Sequence, residues 1–126
     1  MKTPQKEFSV YSNLCHSHSV LESISNKWCI LLITLLSAET YRFGELKREL
    51  NGISPKILTQ TLQKLEKFGF VLRQAYPTLP LKVEYSLTDL GKELSRMLGP
   101  LTSWTEDNMR RIMAAEQEYR NNAGAA

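Results

Sequence analysis

The stretch Ile53-Ser54-Pro55-Lys56-Ile57-Leu58-Thr59-Gln60-Thr61-Leu62-Gln63-Lys64-Leu65-Glu66-Lys67-Phe68-Gly69 decides the fold. Ser54 is a good N-cap, because its hydroxyl can accept a hydrogen bond from an unpartnered N–H of the first turn. Pro55 suits the first helical position, where a missing N–H costs nothing, and Gly69 supplies a stop. The serine cap is worth roughly 1 kcal/mol over alanine. On a helix of about 100° per residue, Leu58, Leu62 and Leu65 fall within about 60° of one another, with Phe68 beside them. Lys56, Gln60, Gln63 and Lys67 cluster on the opposite side, with Thr59 and Lys64 on the two shoulders. The helix's only carboxylate, Glu66, lies off that outward stripe.

The neighbouring segments turn this helix into part of a motif. Upstream, Phe43, Leu46 and Leu50 give a narrow helical stripe that Asn51-Gly52 terminates after the short extended link Tyr41-Arg42-Phe43. Two helices joined by a tight glycine-containing turn suggest a helix-turn-helix. Downstream, the period changes. Phe70 to Tyr76 and Leu81 to Leu87 are rich in β-branched and aromatic residues, and Pro77-Thr78-Leu79-Pro80 joins them, which predicts a β-hairpin. In its second strand Leu81, Val83, Tyr85 and Leu87 alternate with Lys82, Glu84 and Ser86, so one face should be apolar and the other wet. A helix-turn-helix followed by a two-stranded hairpin is the winged-helix arrangement.

Residues 1 to 13 support no assignment. From Ser19, a plausible N-cap, Val20, Leu21, Ile24, Trp28, Leu31, Leu32, Leu35 and Leu36 predict one central helix ending near Ser37. Thr88-Asp89 should cap a long terminal helix. Its stripe is Leu90, Leu94, Met97, Leu101 and Trp104, continued less regularly by Met109, Ile112 and Met113. Gly99-Pro100 predicts a kink or break within it, and the tail from Asn121 to Ala126 is expected to fray. The fold class is therefore mainly α with a small β-hairpin.

Charge follows this layout. The 126-residue chain has a net charge of only +3, but residues 42 to 82 hold eight basic and three acidic residues, a net of +5. The remaining eight basic and ten acidic residues leave the flanks at −2. A positive centre points to a polyanionic partner. Glutamine can pair with adenine edges, lysine with guanine or phosphate, and threonine with a thymine methyl. This assigns Lys56, Thr59, Gln60 and Gln63 to base readout in double-stranded DNA. Arg42, Ser54, Lys64, Lys67, Arg73 and Lys82 are assigned to phosphates, with Arg73 and Lys82 expected near the hairpin tip. The same helix face would suit plain solvation, and the following hairpin tips the reading toward DNA. A winged helix used only as a protein-interaction module would instead carry an acidic or apolar outward stripe.

Other classes find little support. The longest nearly unbroken apolar run, Trp28 to Leu36, is nine residues, and a membrane span needs about twenty. The start, Met1 to Lys6, lacks a signal peptide's apolar stretch, and two cysteines make no disulfide framework, so a cytoplasmic location is expected. There is no glycine-rich phosphate loop, metalloprotease motif or nucleophile elbow, so no enzyme and no cofactor are expected. Cys15, His16 and His18 match no standard zinc spacing, and no metal is expected. Cys29, inside the apolar helix, should be buried and inert.

The residues from Ile53 to Glu66, then Gly69, Tyr76-Pro77, Val83-Glu84-Tyr85-Ser86-Leu87-Thr88 and Gly91, closely resemble the HxlR family. These are bacterial winged-helix transcriptional regulators distantly related to the MarR type. The resemblance extends to Lys27-Trp28, Arg42-Phe43, Glu45-Leu46, Leu98-Gly99-Pro100 and Trp104, about residues 15 to 104 in all. It implies a sequence-specific DNA-binding regulator, and a homodimer built from the terminal helices. The long final helix agrees, because Leu94, Met97, Leu101, Trp104 and Met109 offer more apolar surface than one small domain readily covers. On this reading residues 1–126 form a single winged-helix domain, with the helix-turn-helix at 43–68, the wing at 70–87 and dimerisation segments at about 1–18 and 89–120. A dimer would set its recognition helices about 34 Å apart on an inverted repeat. Cys15 lies where much of the family carries an N-terminal cysteine. Some members use that cysteine as a thiol sensor, so a small-molecule or oxidant effector is implied; the plain alternative is a small apolar interface residue. A thiol near Lys27 or a helix N-terminus would be reactive. The chain departs from the family in having Cys15-His16 for a common Cys-Pro, and Ser25-Asn26 for a common glycine pair.

Overall fold

The computed structural model describes residues 7–125. Its elements run α1 (His16–Ile24), α2 (Lys27–Ala38), α3 (Phe43–Glu49), α4 (Pro55–Lys67), β1 (Val71–Tyr76), β2 (Lys82–Leu87), α5 (Asp89–Asp107) and α6 (Met109–Ala125). The winged helix is present as expected. The core gathers Cys29, Leu32, Ile33 and Leu36 of α2, Leu46 and Leu50 around α3, Ile53, Leu58, Leu62 and Leu65 around α4, and Val71, Leu87 and Leu94. Helix α2 is its centre, packing against α1, α4, α5 and β2.

Helix α4 is locally over-determined. The Ser54 hydroxyl accepts the Ile57 N–H at 3.1 Å, and Pro55 opens the helix. At the other end the Phe70 N–H bonds the Leu65 carbonyl and the Gly69 N–H bonds the Glu66 carbonyl. These two bonds make a Schellman stop, which Gly69 can enter because its φ is +81°. Gly52, at φ +94°, makes the sharp turn between α3 and α4. The end of α4 is tied to the start of α5, since Thr88 donates its N–H to the Phe70 carbonyl and its O–H to the Gly69 carbonyl while capping the Gly91 N–H.

The strands pair antiparallel from Val71 opposite Leu87 to Tyr76 opposite Lys82. Side chains alternate as expected, but burial does not follow the alternation along the hairpin. Val71 and Leu87 at the base are buried, Val83 and Tyr85 are half-buried, and Leu81 is exposed. The hairpin outruns the core, so only its base has a surface to pack on. An isolated bridge from Tyr41 to Tyr85 adds a further link to the wing.

Three expectations are corrected. The single helix from Ser19 is two helices, α1 and α2, inclined at 73°. Cys15 is the N-cap of α1, and Ser19 lies inside it, donating its hydroxyl to the His16 carbonyl. The break falls at Ser25-Asn26, where the Asn26 side chain caps α2 by accepting the Trp28 N–H at 2.8 Å. Apolar periodicity runs straight through this point, and only the capping chemistry marks it. Second, α5 passes through Gly99-Pro100 unbroken, and the helix ends instead before Asn108. Pro100 is exposed, so the carbonyl left without its N–H can turn to water. Asn108 bonds the Trp104 carbonyl with both its backbone N–H and its side-chain amide, and its own carbonyl then starts α6. Third, the final helix runs further than expected, α6 continuing through the tail to Ala125; Ala126 lies outside the described residues.

Candidate nucleic-acid interface

The surface of α4 divides as its periodicity predicts. Leu58, Thr61, Leu62 and Leu65 are buried, with the Thr61 hydroxyl satisfied by the Ile57 carbonyl at 2.7 Å. Lys56, Thr59, Gln60, Gln63 and Lys67 are all exposed. The buried side anchors α4 through the core, and the opposite side presents two amides and two ammonium groups on a rigid element. The Ser54 O–H remains free to donate toward a phosphate, since its oxygen is the cap acceptor.

Lys64 is less open to solvent than the other lysines of α4. It is half-buried, and its ammonium lies close enough to Cys29 to oppose the effect of burial on that thiol. Its half-burial sets Lys64 apart from the fully outward Lys56 and Lys67 as a phosphate candidate. Burial still dominates at Cys29 and pushes its thiol up, while the S–H points to the Ser23 carbonyl at 3.3 Å. Ile57, half-turned outward beside this stripe, joins the exposed face unforeseen. Only its angular position, about 20° beyond Lys64 on the shoulder of α4, could have signalled that.

Arg42 sits exposed at the head of α3, where its backbone N–H is bonded by the Glu45 carboxylate at 2.7 Å. Lys47 and Arg48 are exposed in the last turn of the same helix. The two wing cations are not together at the tip. Arg73 pairs with Tyr85 in mid-strand, whereas Lys82 pairs with Tyr76 at the distal end, and the alternation puts them on opposite faces. Lys82 is also engaged within the wing. Its ammonium lies 5.1 Å from the centre of the Tyr76 ring and 3.6 Å from a Glu84 oxygen. Burial and then the Glu84 carboxylate raise the Tyr76 hydroxyl above its ordinary value. Of the two, Arg73 keeps the better claim to a phosphate.

The terminal helices are arranged differently from the sequence expectation. Helix α5 packs on the core through Gly91, Leu94 and Leu98, so of its expected apolar stripe only Leu94 is buried in the core. Leu94, at 8% exposure, belongs to the protomer's own core and leaves the candidate interface. Met97, Leu101 and Trp104, at 67%, 49% and 55% exposure, form a separate stripe roughly 100° around the helix. Met109 and Met113 of α6, and Phe8, Tyr11, Leu14 and Leu21 near the N-terminus, are also exposed. Residues 1–6 of the first expected dimerisation segment lie outside the described residues.

Cys15 is half-buried at the head of α1. The Ser17 hydroxyl sits 3.1 Å from its sulfur, and this bond, followed by the Ser17 backbone, lowers the thiol below its ordinary value. Lys27 is not the cause, because its ammonium stacks 4.4 Å from the Trp28 ring centre.

A helix-turn-helix whose second helix turns amides and cations outward, followed by a β-hairpin, defines a winged-helix DNA-binding protein. Residues 23–113 match the family described as HxlR-like helix-turn-helix, and the chain belongs to that family. It is 40% identical over 113 residues to the HTH-type transcriptional regulator YtfH of Escherichia coli K12, covering 90% of each chain. The solved structure of a transcriptional regulator ytfH from Salmonella typhimurium matches with a TM-score of 0.83 and 38% identity, over 88% of this chain and 99% of that one. The redox regulator HypR in its oxidized form matches with a TM-score of 0.69 and 35% identity, over 75% of this chain and 97% of that one. The protein is a DNA-binding transcriptional regulator of the helix-turn-helix type.

Proposed function

We propose that the protein acts in the cytoplasm as a homodimer on an inverted-repeat operator, with Cys15 as its thiol switch. The observation that carries the dimer is α6, a helix of 17 residues with no buried side chain among the described residues. A helix of this length standing alone in water is marginal. Its apolar residues, the Met97-Leu101-Trp104 stripe and the exposed N-terminal side chains are best covered together by the same surfaces of a second copy. Leu101→Glu with Trp104→Glu tests this. The variant should sediment as a folded monomer and lose most of its affinity for duplexes selected by the wild type, because one half-site supplies only part of the contacts. A variant that remains dimeric would remove α5 from the interface.

For the switch, the support is the placement of Cys15 at a helix N-terminus beside Ser17, together with a redox regulator among similar structures. A thiolate attacks a hydroperoxide oxygen to give a sulfenic acid and release water or alcohol. Because the Cys15 thiol is lowered by its bond to Ser17, alkylation of this cysteine should rise with pH and reach half its maximum at a lower pH in the wild type than in Ser17→Ala. Mild hydroperoxide should change DNA affinity in the wild type and leave Cys15→Ser unchanged. The same response in both proteins would return Cys15 to a packing role. A second reading, a small-molecule effector, is favoured by a groove of about 440 Å³ between α2 and α5, lined by Ile30, Leu31, Leu101, Lys27 and Glu106.

A further inference from the structure

The wing ends in a segment that charge cannot explain. Residues Pro77-Thr78-Leu79-Pro80-Leu81 contain no ionisable group. Leu79 is fully exposed and Leu81 is 63% exposed. A wing that merely clamped phosphates would carry cations at its tip. The nearest one, Lys82, is turned onto Tyr76 and Glu84, and Arg73 stands in mid-strand. The tip is nevertheless organised. The Thr78 N–H bonds the Tyr76 carbonyl at 2.8 Å, and the Thr78 hydroxyl donates to the Pro80 carbonyl at 2.8 Å, so Leu79 is held at the apex between two prolines.

Reach fits a place on the duplex. Six strand residues at about 3.3 Å each carry the tip roughly 20 Å from Val71, whose strand follows directly from the end of α4. One turn of duplex is about 34 Å, so a minor groove lies roughly 17 Å along the axis from the major groove that α4 occupies. We propose that the uncharged wing tip enters that flanking minor groove and that Leu79 presses as an apolar wedge against a deformable base step, making it a specificity-determining residue outside the half-sites. Apolar side chains, leucine and proline among them, serve this way by partly unstacking a step. Pyrimidine–purine steps such as TA and CA unstack most readily, so the sequence preference would be read there without hydrogen bonds to bases.

This inference rests on duplex binding through α4, and its test separates the two. The probe is the duplex that the wild type enriches from a randomised pool, carrying 2-aminopurine in the flanking step. The wild type should raise the 2-aminopurine fluorescence on binding. Leu79→Ala should bind about tenfold more weakly, with an unchanged salt slope, no fluorescence rise, and no flanking preference in its own selection. Leu79→Met should behave as the wild type, because it keeps an apolar side chain of similar reach. Leu79 is fully exposed on the protomer, so the alanine variant should keep the wild-type circular dichroism. If Leu79→Ala keeps wild-type affinity and flanking preference, the wing tip does not contact the groove and the proposal falls while α4 binding stands. If the wild type binds no duplex at low salt, recognition by α4 falls first and this inference with it.

Discussion

Replacing Gly91 with alanine is expected to destabilise the protein by about 3 kcal/mol, near the top of the range for overpacking a filled site. A Cβ at this position would stand 2.1 Å from the Phe70 carbonyl oxygen and 3.2 Å from a Leu87 side-chain carbon. The oxygen cannot step aside cheaply. It belongs to backbone that accepts the Thr88 N–H, and the Phe70 N–H closes the Schellman stop of α4. Relief therefore requires α5 to lift from the root of the wing, which disturbs Val71, Leu87 and Leu94 together. Urea unfolding at a fixed protein concentration should show a midpoint lowered by more than about 1 M with little change in slope. A midpoint equal to the wild type would mean that α5 does not approach Phe70 this closely. Gly99 provides the control, because a Cβ added there would have nothing within 4 Å. Its alanine variant should be at least as stable as the wild type.

The second large effect concerns the outer face of α4. Gln60→Ala and Gln63→Ala should each cost about 1–3 kcal/mol on the preferred duplex, and each should relax preference at one base pair. Lys67→Gln should behave differently. It should weaken binding to all sequences alike and flatten the salt dependence by about one unit, the signature of a lost phosphate contact. Lys64→Gln should flatten the salt slope less than Lys67→Gln, because Lys64 is half-buried and Lys67 is exposed. Competition binding against single-base variants, repeated at several salt concentrations, separates these outcomes. Identical behaviour of the glutamine and lysine variants would show that the division between base readers and phosphate contacts is wrong.

Much of this architecture is legible in the sequence, for reasons that differ along the chain. Helix α4 announces itself because a cap, a first-turn proline, a period of 3.6 and a stop glycine agree. The hairpin is legible from its change of period. The break between α1 and α2 is hidden because Ile24 and Trp28 keep helical spacing across it, and only Asn26 competes for the backbone. The end of α5 is misplaced for the opposite reason. Proline and glycine are strong signals, yet Pro100 sits where water can satisfy the freed carbonyl, and the less conspicuous Asn108 terminates the helix. The stripe on α5 shows where tertiary packing departs from simple amphipathicity. The core takes the side with Gly91 and Leu98, because the glycine allows close approach to Phe70, and the larger apolar residues are left outside. Lys64 lies on a shoulder of α4, and whether a shoulder faces solvent depends on the neighbouring helix, which periodicity alone does not place.

The most direct measurement is selection of duplexes from a randomised pool by the full-length wild-type protein, followed by titration of the enriched sequence at increasing salt. A dimeric winged-helix regulator reading DNA through Gln60 and Gln63 should enrich an inverted repeat with half-sites about one helical turn apart, and its affinity should fall steeply as salt rises. Enrichment of no sequence, or of a single half-site without symmetry, would contradict dimeric recognition through α4.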